Sequence, residues 1–178
     1  MKKIAKFYKV STENFIKAIR EEFPCYTQED VKEMYENLSL PLRATKGSAG
    51  YDFFSPFSFT LAPKETIKIP TGIRVKMEEG WVLQLFPRSG LGFKYRLQMD
   101  NTVGIIDSDY FYSKNEGHIF IKLTNDSMED KSLEVVQGTG FAQGIFLEYG
   151  ITVDDDANGV RDGGLGSTTH VNSALPHK

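Results

Sequence analysis

The chain has 178 residues, 40% of them hydrophobic and 25% charged, the length of one domain that buries about 70% of its unfolded surface. No apolar run approaches the roughly 20 residues of a membrane span, and a net charge of −3 argues against direct nucleic-acid binding, which needs many phosphates neutralised by Lys and Arg. The single cysteine, Cys25, excludes an intrachain disulfide, and with no Cys or His cluster at metal-ligand spacing any metal must be held by oxygen.

The opening residues, MKKIAKFYKV, carry lysines without an apolar stretch of signal-peptide length, which predicts a cytoplasmic protein. Residues 11 to 38 read as a helical hairpin. Thr12 is placed to cap the first helix, whose apolar stripe is Phe15, Ile16 and Ile19. Thr27 is placed to cap the second, with Val31, Met34, Tyr35 and Leu38 as its buried face and Pro41 as its stop. An amphipathic pair of this kind suits packing or subunit contact; a protein partner docking through the hairpin is the alternative.

From about residue 48 the pattern changes to short β-rich runs between Gly and Pro turns: FSFTL at 57–61, TIKI at 66–69, IRVKM at 73–77, WVLQLF at 81–86, HIFIKL at 118–123, LEVV at 133–136 and FAQGIFL at 141–147. They follow one another too closely for helical crossovers, so antiparallel sheets are predicted, in a sandwich, jelly roll or barrel that periodicity cannot distinguish. After Tyr149 the chain turns polar and glycine-rich, a composition that cannot build its own core and predicts a mobile arm. Asp154, Asp155 and Asp156 read as solvated linker charge rather than a metal site.

Several turns combine glycines, which let backbone amides approach a ligand, with charged side chains. PRSGLG at 87–92 suits an anion-binding turn in which Arg88 forks onto a phosphate and Ser89 donates its hydroxyl; a buried Arg88 bridging to a carboxylate is the alternative. NTVGIIDSDY at 101–110 sets Asp107 and Asp109 behind an apolar run. One of them could abstract a proton from water beside an anionic substrate, or both could simply stabilise an Asx-type turn.

Taken together, GSAGYDFFSP at 47–56, PRSGLG, NTVGIIDSDY, GFAQG at 140–144 and RDGGLGSTT at 161–169 resemble, in order and spacing, the five motifs of the trimeric dUTPase family. The resemblance spans the chain after Leu40 and leaves the hairpin as an extension. It implies a mainly β, jelly-roll-like sandwich or barrel, here with an N-terminal helical hairpin and a mobile C-terminal arm. Within one domain over 1–178, the parts are a helical extension (1–45), a β core (46–153) and the arm (154–178). It further implies a homotrimer with shared active sites, and hydrolysis of dUTP to dUMP and pyrophosphate, which limits uracil incorporation into DNA and supplies dUMP for thymidylate synthesis.

By the same resemblance Asp107 is the base that activates water for in-line attack on the α-phosphorus. Tyr110 packs against the deoxyribose, where a 2′-hydroxyl would clash. Asn101 and the backbone around Gly104, Ile105 and Ile106 read uracil, whose donors and acceptors cytosine would leave unpaired. Arg88, Ser89, Gly90 and Gln143 hold the phosphates, and Arg161 with Gly166, Ser167 and Thr168 closes the arm over them. Mg2+ is held mainly by the triphosphate and waters, Asp52 acting through water. The chain departs from the family pattern at Gly140, where an arginine is usual, at Leu165, where a phenylalanine usually stacks on uracil, and in an insertion at 112–116 that moves the glycine expected after Tyr110 to Gly117. Two other functions fit such a chain: a dCTP deaminase-like enzyme, for which the needed glutamate and arginine find no convincing match, and a nucleotide-dependent protein-interaction module.

Overall fold

The computed structural model describes residues 2–159 and Arg161. A strand, β1 (Ala5–Lys9), precedes two helices, α1 (Thr12–Glu22) and α2 (Gln28–Glu36). Strands β2 (Tyr51–Phe54), β3 (Phe59–Leu61), β4 (Thr66–Pro70), β5 (Ile73–Met77) and β6 (Trp81–Pro87) lead to a short helix, α3 (Ser89–Tyr95). Then come β7 (Leu97–Met99), β8 (Gly104–Ile106), a 3₁₀ helix (Ser108–Tyr112), β9 (Phe120–Asn125), β10 (Leu133–Val135) and β11 (Gly140–Glu148). Among the described residues no helix is long and apolar enough to cross a membrane.

The strands form a four-stranded sheet in the order β2-β11-β6-β8, a three-stranded sheet β4-β9-β7, and the pairs β1-β5 and β3-β10. All the strand pairs are antiparallel, as the close spacing of the runs predicts. Alternation sets the inner face: in β9, Ile121, Leu123 and Asn125 are buried while Lys122 points out. The core joins Phe53, Leu83 and Leu85 of the large sheet to Ile69, Ile121 and Leu123 of the smaller one.

The hairpin belongs to this core, because Phe15, Ile19 and Val31 are fully buried within it. Its second helix starts as expected, with Thr27 and Asp30 exchanging bonds in a capping box. The cap of α1 is Ser11 rather than Thr12: the Ser11 hydroxyl accepts from the Asn14 N–H at 3.2 Å, and Thr12 is already helical. The opening residues also differ from the sequence reading, since Ala5–Lys9 pairs residue for residue with β5.

Candidate active site

Strand β11 assembles the first half of the site. It lies between β2 and β6, and its register sets Gln143 opposite Asp52 on one side and Phe86 on the other. Three segments far apart in sequence therefore meet at one end of the sheet. Ser48, Asp52, Arg88, Ser89 and Gln143, with Ala44, line a polar cavity of about 320 Å³. Gln143 donates from Nε2 to the Pro87 carbonyl at 3.1 Å, tying β11 to the turn after β6.

Of the two sequence readings of Arg88, the bridge to a carboxylate is the one observed, with the guanidinium partly exposed rather than buried. Its Nε lies 3.2 Å from Asp52 Oδ1 and its Nη1 donates to the Gly140 carbonyl at 3.2 Å. The side chain is nevertheless 42% exposed and borders the cavity. A Cβ on Gly140 would fall 3.0 Å from Arg88 Nη1, so the guanidinium occupies the space beside position 140 where a side chain would begin. PRSGLG is not a simple turn: Ser89 begins α3, with Arg88 as its cap. As first residues of a helix, Ser89 and Gly90 have no carbonyl one turn back to bind their N–H groups. Phe93 stands almost wholly exposed on α3, while Tyr95 packs against the core.

The second half gathers around Asp107. Gly104, Ile105 and Ile106 form β8, paired to β6, with Ile105 exposed between two buried neighbours. Asn101 is exposed in the turn before β8, where its carbonyl accepts the Val103 N–H at 2.7 Å. Asp107 is extended at the start of the 3₁₀ helix, and its carboxylate makes no cap bond. The Asx-type turn is therefore absent at Asp107. Tyr110 is buried, donating from its hydroxyl to the His118 carbonyl at 2.8 Å and accepting from Asn115 Nδ2 at 2.8 Å. Burial raises the phenol above its ordinary pKa, and the Asn115 hydrogen bond offsets part of that rise.

Arg161 closes over this cluster. Its Nη2 pairs with Asp107 Oδ2 and its Nε donates to Asp109 Oδ1 at 2.8 Å, with the guanidinium 5.8 Å from the Tyr110 ring centroid. Asp109, the second base candidate of the sequence, thus serves here as the other arm of a carboxylate fork. Gly166, Ser167, Thr168 and Leu165 lie outside the described residues.

The two halves are separate in one chain, and strand geometry says why. Ile106 pairs with Leu83, so Asp107 emerges beside Val82 at the start of β6, whereas Arg88 follows its end. Six strand residues at about 3.3 Å each separate them by roughly 20 Å. Asp107 and Tyr110 are absent from the lining of the Arg88 cavity. Among the described residues no group of three or more His, Cys, Asp or Glu could hold a metal ion. Among the described residues the carboxylate bordering the cavity is Asp52, itself paired with Arg88, a donor set that fits contact to a metal through water and not a protein cage. Asn115 and His118, which grip the Tyr110 hydroxyl, carry no motif of their own. The displaced glycine after Tyr110 is the one sequence signal that points at their loop.

The sequence pattern of the family described as dUTPase matches residues 36–169. The deoxyuridine 5'-triphosphate nucleotidohydrolase of Lactococcus lactis is 36% identical over 145 residues, covering 78% of this chain and 95% of that protein. The crystal structure of the dUTPase from Streptococcus mutans superposes with a TM-score of 0.59 at 31% identity, covering 82% of this chain and 97% of that one. A point mutant of the dUTPase from Staphylococcus aureus phage phi11, described with a coordinated structural Mg(II) ion, superposes with a TM-score of 0.60 over 88% of this chain and 98% of its own. At 20% identity that last likeness shows the fold alone. A β framework whose register collects Asp52, Arg88 and Gln143, and a family pattern running through all of them, lead to one assignment: the chain belongs to the dUTPase family.

Proposed function

We infer that the protein hydrolyses dUTP to dUMP and pyrophosphate, with Asp107 as the base. The observation that carries this is the Asp107 carboxylate. It caps nothing, follows the edge strand β8 and lies one 3₁₀ turn before Tyr110, whose N–H donates to its carbonyl at 3.2 Å, where a nucleoside resting on the ring would bring its α-phosphate within reach of a water held by the carboxylate. Asp107 takes a proton from that water as the oxygen attacks phosphorus in line, and pyrophosphate leaves with the electron pair of the broken P–O bond. Arg88 and the N–H groups of Ser89 and Gly90 receive the phosphate charge, with Gln143 holding the turn. Asn101 and the backbone of β8 read uracil, and Tyr110 excludes a ribose.

The strand separation of Asp107 from Arg88 supports a site completed between subunits, and with it a homotrimer. Arg161 lies on Asp107 and Asp109 in the single chain, so substrate must draw it away, and its natural acceptor then is the triphosphate. Gly166, Ser167 and Thr168 would follow it there. Mg2+ would be carried by the triphosphate and touched by Asp52 through water, where it supplies neutralisation of phosphate charge.

The test is pyrophosphate release across dUTP, dCTP, dTTP and UTP, with and without Mg2+, while monitoring ammonia. Release from dUTP far faster than from the other three is expected; ammonia from dCTP would overturn the assignment. Asp107→Asn should lower kcat by about 10²- to 10⁴-fold, the range for removing a general base, while leaving nucleotide affinity within a few-fold of the parent.

A further inference from the structure

The loop that follows Tyr110 is built into the first turn of α1 at several points. Asn115 donates from Nδ2 to the Tyr110 hydroxyl at 2.8 Å. Its amide oxygen accepts the Gly117 N–H at 3.3 Å, a donor that fixes the amide with its nitrogen toward the tyrosine, and lies 2.6 Å from Ser113 Oγ, whose single hydroxyl hydrogen is shared with the Tyr110 carbonyl at 2.7 Å. Behind it, Asn14 donates from Nδ2 to the Asn115 carbonyl at 3.2 Å and accepts from His118 Nδ1 at 2.8 Å. His118 Nε2 accepts the Gly72 N–H at 2.8 Å, so the proton sits on Nδ1 and the Asn14 amide has a single orientation. Glu116 accepts from both the N–H and the hydroxyl of Ser11, at 2.8 and 2.5 Å.

We propose that Asn115, braced by Asn14, is a positioning residue that fixes the Tyr110 ring and thereby sets the preference of the enzyme for deoxyribose over ribose. The proposal rests on Tyr110 facing the sugar. A ring excludes a 2′-hydroxyl only if it cannot yield, and a difference of one hydroxyl is small beside the compliance of a loop. Here the phenol oxygen is held from two sides, donating to His118 and accepting from Asn115. The chain outside the family pattern supplies the brace, because Ser11 and Asn14 precede residue 36, where that pattern begins.

The experiment measures kcat/KM for dUTP and UTP in the full-length protein and follows their ratio. Asn115→Asp keeps an oxygen for Ser113 and Gly117 but turns an acceptor toward the phenol; Asn14→Asp keeps the acceptor for His118 and loses the donor to Asn115. Tyr110→Phe removes the held hydroxyl and Tyr110→Ala removes the wall. Tyr110→Ala should abolish most of the selectivity, Asn115→Asp should lower the ratio by about five- to tenfold, the effect of losing one hydrogen bond, and Tyr110→Phe, which loses both bonds to the phenol oxygen, should lower it by at least as much. Asn14→Asp should lower it less, in the same direction. A merely structural loop would change stability and leave the ratio alone. If Tyr110→Ala lowers the ratio and the other three do not, the positioning role is overturned while the sugar contact stands. If Tyr110→Ala leaves the ratio intact, the sugar contact is wrong and the proposal falls with it. Should Asn115→Asp fail to fold, Asn14→Asp and Tyr110→Phe decide the matter.

Discussion

Gly117 has a φ of +69°, and a Cβ there would lie 2.7 Å from the Phe111 Cα and 2.8 Å from the Tyr110 carbonyl oxygen. Both are backbone atoms that cannot move without shifting Tyr110. Gly117→Ala should therefore destabilise the fold by about 1–3 kcal/mol, the cost of a strained backbone position, and reduce dUTP turnover as well; urea unfolding midpoints and kcat/KM check the two effects. At this scale much was legible from the sequence. The glycine displaced to position 117 marked the loop in advance, and Asp107 follows an apolar run that forms β8, as the sequence order suggests. What stayed hidden was pairwise. Nothing in a linear chain says that Arg88 lies against Gly140, or that Asn115 reaches back to Tyr110, because those contacts follow from register and loop closure.

Among the elements, the strands long enough to alternate were readable, as β6, β9 and β11 show. The three-residue strands β7 and β8 were hidden by the turn residues Asp100 and Asn101 between them and by Gly104 at the start of β8, whereas the equally short β3 and β10 lie in longer β-rich runs, and β1 was obscured by its lysines. Its buried member, Phe7, alternates with the solvent-side Lys6 and the half-buried Tyr8, a pattern that becomes clear only once β5 is beside it. The junction of α1 with β5 and the Tyr110 loop centres on His118, which is completely buried. Burial lowers its pKa to about 4, against a nearby Glu116 that pulls the other way. The unfolded chain protonates this histidine near pH 6.5 and the folded chain only near 4, so in that window the unfolded state binds more protons and stability falls as pH falls. Burial presses Glu116 upward, yet its bonds from Ser11 and the charge of Arg74 hold it below the usual range, which adds to acid destabilisation. Lowering the pH from 7.5 to 5 should cost on the order of 2 kcal/mol through His118 alone. Denaturation midpoints at the two values should show it, and His118→Gln should flatten the dependence.

For the whole molecule, the decisive feature is that β6 holds Arg88 at one end and delivers Asp107 near the other. Composition and periodicity are silent on this, because which end of β6 meets Asp107 is set by strand register. Exposed apolar side chains such as Ile105, Val136 and Leu147 give subunits surface to bury. Sedimentation should give a species of three chains of 20.1 kDa each. The split site has a genetic reading. In a trimer with shared sites, lesions at Arg88 and at Asp107 damage contributions from different subunits and belong to separate complementation groups. Arg88→Ala and Asp107→Asn proteins, each inactive alone, should regain a fraction of wild-type turnover when unfolded and refolded together. Two copies of the same lesion should regain none. A heterozygous cell would then retain activity that neither allele encodes by itself.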